Sequence, residues 1–339
     1  MTLMEELLLS LALSFKKGFG GRSYLKLLEK FGSISEGVKE EAIELDEELK
    51  EAEKELLKAE KLGVEIVPLC SDRYPSLLKE IQQPPIVLYV AGKLPQNSCV
   101  AVVGSRRCSD YGRRTAFRVA KFLSESGICV VSGLAYGIDS SAHKGALAGK
   151  GKTVAVLGSG VDVIHPRGNR ELAKRIVEEG GALVSEFPLG TLPSKETFPR
   201  RNRIVSGLSH AVVVVEARER SGANITVSYA LEQGRTVFAV PGNVDSPFSR
   251  GTNRLLKEGA IPLLSPEDIF EELPFLKRRT RREIPGKFKE LYQLLLSEPM
   301  TFDKLAELSG MEITELSMLL VEMEMEGIIR RDGSVYTVC

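Results

Sequence analysis

The sequence predicts an α/β protein built on a doubly wound parallel sheet, and two observations support this prediction. Short β-branched runs such as residues 210–216 (HAVVVVE) lack polar alternation, which is typical of strands buried on both faces. These runs alternate with segments of helical length, so strand, loop and helix follow one another through the middle of the chain. A helical region precedes this part, and a shorter region of helices and a hairpin follows it.

The charge of the 339-residue chain is unevenly distributed, although its formal net charge is zero. Residues 96–270 hold 23 Lys and Arg against 16 Asp and Glu. Residues 1–95 hold 13 against 17, and residues 271–339 hold 10 against 13. The positive charge is concentrated in the middle, as expected if that part meets a polyanion.

Cysteine usage and hydropathy indicate the compartment. The five cysteines are scattered and form no C-x-x-C pair, which argues against a zinc site or a disulfide framework and favours a reducing environment. The apolar run at residues 7–15 is too short to span a membrane, and Glu5 and Glu6 precede it where a signal peptide would carry Lys or Arg. We therefore expect a cytoplasmic protein without a metal centre or membrane contact.

Residues 1–62 form the predicted helical module. A glycine turn at residues 18–21, flanked by Lys16, Lys17 and Arg22, resembles a helix-hairpin-helix or sterile-alpha-motif turn, although a plain interhelical turn fits as well. Residues 36–61 predict one charged helix with a solvated face, supported by Glu–Lys pairs three residues apart.

Residues 63–270 form the predicted core. Two short strands at 64–69 and 86–90 lead into a main sheet of six strands, at residues 99–103, 129–132, 153–157, 182–185, 210–215 and 237–240. In such a sheet a ligand lies at the carboxyl ends of the strands. The loops at those ends are rich in Gly, Ser and Arg, so we expect them to form one site.

Residues 198–208 (FPRRNRIVSGL) dominate that site. Arg200, Arg201 and Arg203 crowd the start of a predicted helix, where they repel one another unless an anion lies between them. Guanidinium groups suit phosphate, and a helix N-terminus adds N–H donors for the same anion. The alternative is a solvated, partly ion-paired surface turn.

Nucleotide and catalytic motifs do not match. Gly158-Ser159-Gly160 lacks the third glycine of a dinucleotide fingerprint, and Gly151-Lys152-Thr153 lacks the first glycine of a P-loop. Asp139 and His143 are candidate acid–base residues, but Asp139 equally suits a helix cap, and His143 equally suits packing. The sequence therefore predicts no cofactor and no enzyme.

The C-terminal region divides into a basic linker at residues 271–286 and a domain at residues 287–339. The domain resembles a winged helix, with helices near 288–296, 303–308 and 312–326 and a hairpin turning at Asp332-Gly333. No Lys or Arg lies between Leu305 and Ile329, whereas the third helix carries several glutamates. Such a surface repels phosphate, which favours a protein-contact role over that of a transcription factor reading duplex DNA.

A series of motifs resembles the DNA-processing protein A (DprA/Smf) family. The motifs occur in the family's order over about residues 64–265: GSR at 104–106, SGLAYGID at 132–139 with Ala142-His143, SEFP at 185–188, FPRRNR at 198–203, SGANIT at 221–226, and Gly234-Arg235 through Pro241-Gly242. His165-Pro166 departs from the family's usual Tyr-Pro.

The resemblance implies an extended Rossmann core that binds single-stranded DNA, forms a homodimer and loads the RecA recombinase onto incoming DNA in natural transformation. Arg106, Lys195, Arg201 and Arg203 would contact phosphates, Phe198 would stack on a base, and Gly133, Gly137 and Gly222 would admit the strand. The implied DNA site also includes three polar residues, Ser105, Asn202 and Ser221.

An enzyme is the competing hypothesis. The lysine decarboxylase-like nucleotide hydrolases share this type of core and bind nucleoside monophosphates in the same loops. Their P-G-G-x-G-T-x-x-E motif ends in a catalytic glutamate, whereas Tyr229 stands three positions after Thr226 here.

Overall fold

The computed structural model describes residues 3–96, 98–219, 221–276, 285–326 and 328–338. The chain divides into two compact units, Met1–Thr280 and Arg281–Cys339. The basic residues of the predicted linker, at 277–282, lie outside the described residues. The finer domain boundaries at 62, 270 and 286 stay predictions.

Four helices begin the first unit: α1 (Leu3–Phe15), α2 (Gly21–Phe31), α3 (Ile34–Glu40) and α4 (Asp46–Lys61). The single helix predicted over residues 36–61 is therefore wrong. α3 ends at Glu40, Ala42 adopts a left-handed backbone with φ of 48°, and Leu45 is buried before α4 begins. A left-handed residue cannot continue a right-handed helix, so the chain turns between the two.

A nine-stranded sheet forms the centre of the first unit. Its strands are β1 (Glu65–Pro68), β2 (Val87–Gly92), β3 (Cys99–Val103), β4 (Cys129–Ser132), β5 (Thr153–Val156), β6 (Ala182–Ser185), β7 (Ala211–Val214), β8 (Thr236–Ala239) and β9 (Ile261–Pro262). They lie in the order β1-β2-β6-β5-β4-β3-β7-β8-β9. β3 to β9 pair in parallel, whereas β1 and β2 add an antiparallel edge.

Helices cover both faces of this sheet. The crossover helices are α6 (Asp110–Glu125), α7 (Ile138–Ala148), α8 (Arg170–Glu178), α9 (Thr197–Gly207), α10 (Ala223–Glu232) and α11 (Arg250–Lys257); two short helices, α5 (Ser76–Lys79) and α12 (Asp268–Glu272), lie outside the crossovers. Successive residues of β3 enter different cores: Ala101 and Val103 belong to one apolar cluster, Val100 and Val102 to the other. The doubly wound, extended Rossmann-like prediction is confirmed.

The strand order places a topological switch beside β3. From β3 the chain proceeds through β4, β5 and β6 on one side, then crosses to β7, β8 and β9 on the other. The helix after β3 (α6) and the helix after β7 (α10) pack on opposite faces of the sheet. Their divergence opens a crevice at the carboxyl ends of these two strands. This crevice is where a ligand is expected.

The second unit has three helices and a three-stranded sheet. Its elements are α13 (Lys289–Ser297), β10 (Met300–Thr301), α14 (Phe302–Ser309), α15 (Ile313–Met325), β11 (Ile329–Asp332) and β12 (Val335–Val338). β11 and β12 form the predicted hairpin, and Gly333 supplies the left-handed turn with φ of 61°. Helices followed by this wing confirm the winged-helix prediction.

The described residues contain neither a membrane-spanning helix nor a metal-binding cluster. None of their helices is both long enough and apolar enough to cross a membrane. No group of three or more His, Cys, Asp or Glu within the same residues is placed to hold a metal ion.

Candidate nucleic-acid interface

A groove of about 530 Å³ lies in the crevice at the carboxyl ends of β3 and β7. It is lined by nine of the eleven residues predicted for the DNA site: Ser105, Arg106, Gly133, Lys195, Phe198, Arg201, Asn202, Ser221 and Gly222. Gly137 and Arg203 are the two that do not line it. Residues up to 117 positions apart in sequence therefore meet at one surface.

Three elements place these residues. Ser105 and Arg106 follow β3, and the buried Ser105 hydroxyl donates to the carbonyl of Arg107 at 2.7 Å. Phe198 and Arg201 lie in the first turns of α9, whereas Ser221 and Gly222 directly precede α10. The Asn202 amide donates to the Gly222 carbonyl at 3.4 Å, which ties the starts of α9 and α10 together.

Phe198 is half-buried in the groove wall. The guanidinium carbon of Arg106 lies 4.8 Å from the centroid of its ring, and the His165 ring lies 5.8 Å away at an interplanar angle of 49°. Its edge also abuts Gly158, where an added Cβ would approach the ring to 2.9 Å. Phe198 is thus held from several sides while part of its surface stays open.

Arg201 is a buried cation at the base of the groove, with only 5% of its surface exposed. Its Nη1 donates to the carbonyls of Gly133 (2.6 Å) and Val156, and its Nε donates to Asn202 Oδ1 at 3.2 Å. Burial lowers the pKa of Arg201 to about 10, so the group stays charged at neutral pH. A side chain on Gly133 would overlap this guanidinium, which explains the glycine there.

Arg203 points away from the groove. It is 9% exposed, and its Nη2 donates to Glu186 Oε2 at 2.7 Å; Arg200 reaches the same oxygen at 3.2 Å. These three residues line a separate cavity of about 440 Å³, next to residues 83–87. The structure therefore does not bring Arg203 together with Arg106, and its phosphate contact stays a prediction.

Gly137 supports the groove from behind. Its φ is 80°, and an added Cβ would overlap the backbone carbonyl of Ser105 and approach that of Arg106 to 2.7 Å. The residue thus lets the loop after β4 pack against the loop after β3, which carries Arg106.

The two candidate acid–base residues have structural partners. Asp139 Oδ2 accepts from the N–H of Ala135 at 3.4 Å, and burial raises the pKa of its carboxyl group while Arg201 opposes that rise. His143 is fully buried, its Nδ1 lies 2.7 Å from Thr153 Oγ1, and burial lowers its pKa to about 3. Thr153 already donates to the Val130 carbonyl, so His143 Nδ1 donates to Thr153.

The sequence reasoning missed several residues of this surface. Arg107 and Arg218 line the groove, and both are exposed. Tyr136, His165 and Arg167 line an adjoining cavity of about 350 Å³ that shares Phe198 and Arg106 with the groove. Tyr136 stands inside the motif at 132–139 and Arg107 directly follows the motif at 104–106, so their position in loops after predicted strands was the available signal.

The groove is strongly cationic. Its lining includes five cations, Arg106, Arg107, Lys195, Arg201 and Arg218. Among the described residues that line it, Asp139 supplies the sole carboxylate. Glu216, at the end of the neighbouring strand, is buried and accepts from the N–H and hydroxyl of Ser109 instead. A positive surface with an aromatic ring suits a polyanion whose bases are accessible.

Comparisons with known proteins show the family of this chain. A family model described as DNA recombination-mediator protein A matches residues 65–274, and a model of the DprA winged helix domain matches residues 279–333. Protein Smf of Escherichia coli (strain K12) is 42% identical over 278 residues, covering 78% of this chain and 74% of that protein. DNA processing protein DprA of Bacillus subtilis (strain 168) is 43% identical over 215 residues, covering 62% of this chain and 72% of that protein.

Two solved structures are also similar. The X-ray structure of DNA processing protein A from Streptococcus pneumoniae matches with a TM-score of 0.68 and 35% identity, covering 80% of this chain and 99% of that one. A structure of DNA processing protein A from Helicobacter pylori, described for its single-stranded DNA binding mode, matches with a TM-score of 0.57 and 27% identity. The match covers 63% of this chain and 97% of that one. The chain belongs to the DNA recombination-mediator protein A (DprA/Smf) family.

Proposed function

We propose that this chain binds single-stranded DNA through the groove, without sequence preference. The observation that carries this proposal is the combination of five cations, a half-buried aromatic ring and open strand-end loops in one crevice. Single-strand binders use basic channels for the backbone and aromatic faces for the bases. The Helicobacter pylori relative, described for single-stranded DNA binding, supports the same assignment.

Each groove residue has a distinct part in this proposal. Arg106 and Lys195, which are both exposed, contact phosphates. The buried Arg201 adds a fixed positive charge at the base of the groove. Phe198 stacks on a base. Ser105, Asn202 and Ser221 offer hydrogen bonds, while Gly133 and Gly222 leave room for the backbone. Gly137 holds the Arg106 loop in place, and Arg203 holds Glu186.

The finer biological assignment rests on family membership. The protein would protect incoming DNA in the cytoplasm and load the RecA recombinase onto it during natural transformation and recombination. It would act as a homodimer formed through the core. Sedimentation of the purified chain tests the dimer, and strand exchange by RecA on DNA coated with a single-strand-binding protein tests loading.

We propose a binding protein and not an enzyme. Asp139, the carboxylate in the groove lining, is buried and accepts from a backbone N–H, and Tyr229 stands where the related hydrolases carry their glutamate. Incubation with AMP provides the test. Release of ribose 5-phosphate would favour the hydrolase, whereas intact AMP agrees with the proposal.

A direct comparison of two DNA forms tests the main proposal. Fluorescence anisotropy with a labelled oligonucleotide, single-stranded or annealed to its complement, is measured at several salt concentrations. We expect at least tenfold tighter binding to the single strand, and similar affinities for two unrelated sequences. Equal affinity for the duplex would contradict the stacking component, because paired bases do not present their faces.

A further inference from the structure

We propose a second base-stacking position on the floor of the adjoining cavity, formed by Tyr136, with Arg167 contacting the phosphate beside it. This inference rests on the proposed function, because its ligand is the nucleotide next to the one on Phe198. It assigns a role to Tyr136, which stands in the motif at 132–139 but has no role in the DNA site predicted from the sequence, and to Arg167, which lies outside the motifs.

The cavity adjoins the groove and forms a continuation of it. It measures about 350 Å³, and five residues line both: Arg106, Gly133, Ala135, Phe198 and Arg201. A strand whose base stacks on Phe198 therefore has an open path into this cavity. Its volume lies within the range of small-ligand sites, so it can accept a nucleobase.

Tyr136 has the exposure expected of a contact residue. Its surface is 52% exposed, which is high for an aromatic side chain whose loop is otherwise mostly buried. Its phenol lies against Gly168, where an added Cβ would stand 2.7 Å from the hydroxyl oxygen and 3.3 Å from Cε1. The ring thus rests on backbone, leaving surface open for a base.

The loop that carries Tyr136 is held rigidly. The amide of buried Asn169 donates to the Leu134 carbonyl at 2.8 Å, and the N–H of Ser140 donates to the Ala135 carbonyl at 3.1 Å. Leu134 adopts a left-handed backbone with φ of 58°, although it is not glycine. A strained conformation fixed by hydrogen bonds on both sides of Tyr136 indicates preorganisation for binding.

The charges around the ring favour a nucleotide over a neutral ligand. Arg106 and Arg167 line this cavity, both are exposed, and Arg201 lies at its base. Among the described residues that line the cavity, none carries a carboxylate. An aromatic face between cations matches the alternation of base and phosphate along a strand.

The first measurement compares variants of the full chain by anisotropy with a labelled oligothymidylate. Tyr136→Ala should weaken binding about tenfold, within the range for losing one stacked base. Tyr136→Phe, which keeps the ring, should stay within about twofold of wild type. Tyr111→Ala is the matched control, because Tyr111 is similarly exposed (47%) but lies on α6 and does not line the groove or the cavity. Arg167→Ala should flatten the salt dependence by about 0.7, the value for one phosphate.

The second measurement uses the absence of tryptophan from the sequence. Tyr136→Trp introduces a single fluorescent reporter. Oligothymidylate should quench its fluorescence, whereas an abasic oligonucleotide of the same length should not. Quenching by bases together with the expected affinities supports the second position. If Tyr136→Ala binds like wild type, the second position is wrong while the groove assignment stands. If wild type does not bind single strands at all, the proposed function fails first, and this inference fails with it.

Discussion

Phe198 is the residue at which base stacking and packing can be separated. Its ring is half-buried and contacts Arg106, His165 and the Gly158 backbone, so it contributes to both binding and structure. We expect Phe198→Ala to cost roughly 1–3 kcal/mol of binding free energy. The melting temperature should fall only slightly, because the residue is not part of either apolar core. Parallel titrations and thermal melts provide the measurement.

Phe198→Leu is the control for this experiment. Leucine preserves much of the contact with Gly158 but offers no π face, so binding should still weaken while stability is kept. A large drop in melting temperature for Phe198→Ala, with binding falling only as the folded fraction falls, would contradict stacking.

Arg106 and Arg203 should respond differently to replacement by alanine. Arg106 is exposed over Phe198, so its loss should flatten the slope of log affinity against log salt by about 0.7. Arg203 is ion-paired with Glu186, so its loss should leave the slope unchanged and reduce stability instead. A salt titration with two unrelated oligonucleotides checks both. If the Arg203→Ala variant stays folded and its slope flattens by a similar amount, the DNA strand must also contact the cavity that Arg203 lines.

The burial of His143 should make the stability of the protein depend on pH. Its pKa is lowered to about 3 in the folded state, so its contribution is fully present above about pH 6.5 and is lost as pH falls toward 3. The folded protein should lose roughly 1.4 kcal/mol per pH unit from this residue, or about 2 kcal/mol between pH 7 and 5.

The measurement compares wild type with His143→Gln in urea at pH 7 and pH 5. Glutamine keeps a donor for Thr153 but does not titrate, so its unfolding midpoint should depend less on pH. Identical pH dependence of the two proteins would show that burial of His143 does not couple to protonation. His143 follows the motif at 132–139, but it is fully buried, which suits a structural role.

At the scale of elements, α4 is joined to the core by a buried carboxylate. Glu55 is 4% exposed and accepts from the N–H of Leu189 at 2.6 Å, in the loop after β6. Glu55→Ala leaves that N–H without its partner, which should cost roughly 1–3 kcal/mol of stability. Glu53→Ala, on the exposed face of the same helix, should have almost no effect. Equal stability of the two variants, by denaturant unfolding, would contradict this attachment.

The strands of the core were predictable because local sequence determines them. β3, β4 and β6 have the predicted limits, since continuous runs such as CVAVV suit only a strand buried on both faces. β9 was missed because Ile261-Pro262 is two residues long and contains a proline. Its parallel pairing with β8, which joins Phe238 to Ile261 and Ala239 to Pro262, is a tertiary contact that its own composition does not indicate.

The contacts that decide side-chain roles were not predictable in the same way. Glu55 lies in a stretch of charged residues with helical Glu–Lys pairs, and only its tertiary partner 134 positions away shows that it is buried. Arg203 and Arg201 are two residues apart in one motif, yet the helix turns them to different cavities. Sequence composition locates the arginine cluster, whereas the packing of α9 determines which of its members reach the groove.

At the scale of the whole molecule, charge is divided between the parts of the chain. The residues of 96–270 carry the excess of basic groups, and the groove lies within them. The second unit is different: α15 presents Glu315, Glu322 and Glu324, and Lys287 is already paired with Glu322 at 2.5 Å. A negative helix face disfavours approach of DNA phosphate, so this unit should add little to the affinity for a single strand.

Removal of residues 287–339, with the basic linker kept, tests this division. The shortened chain should bind a short oligonucleotide within about twofold of the full chain, because the groove is intact and the lost unit is acidic. Its salt slope should also be unchanged, since no phosphate contact is removed. Anisotropy and a thermal melt of both proteins at matched salt give the comparison.

A second shortened chain, ending at residue 276, is the matched control for the linker. The basic residues at 277–282 can attract the strand on their own, so their removal should weaken binding and flatten the salt slope even though the groove is complete. A loss above tenfold on removing residues 287–339 alone would show that the winged helix contacts DNA despite its glutamates. In that case the exposed side chains of α15, among them Met318 and Val321, become the residues to replace next.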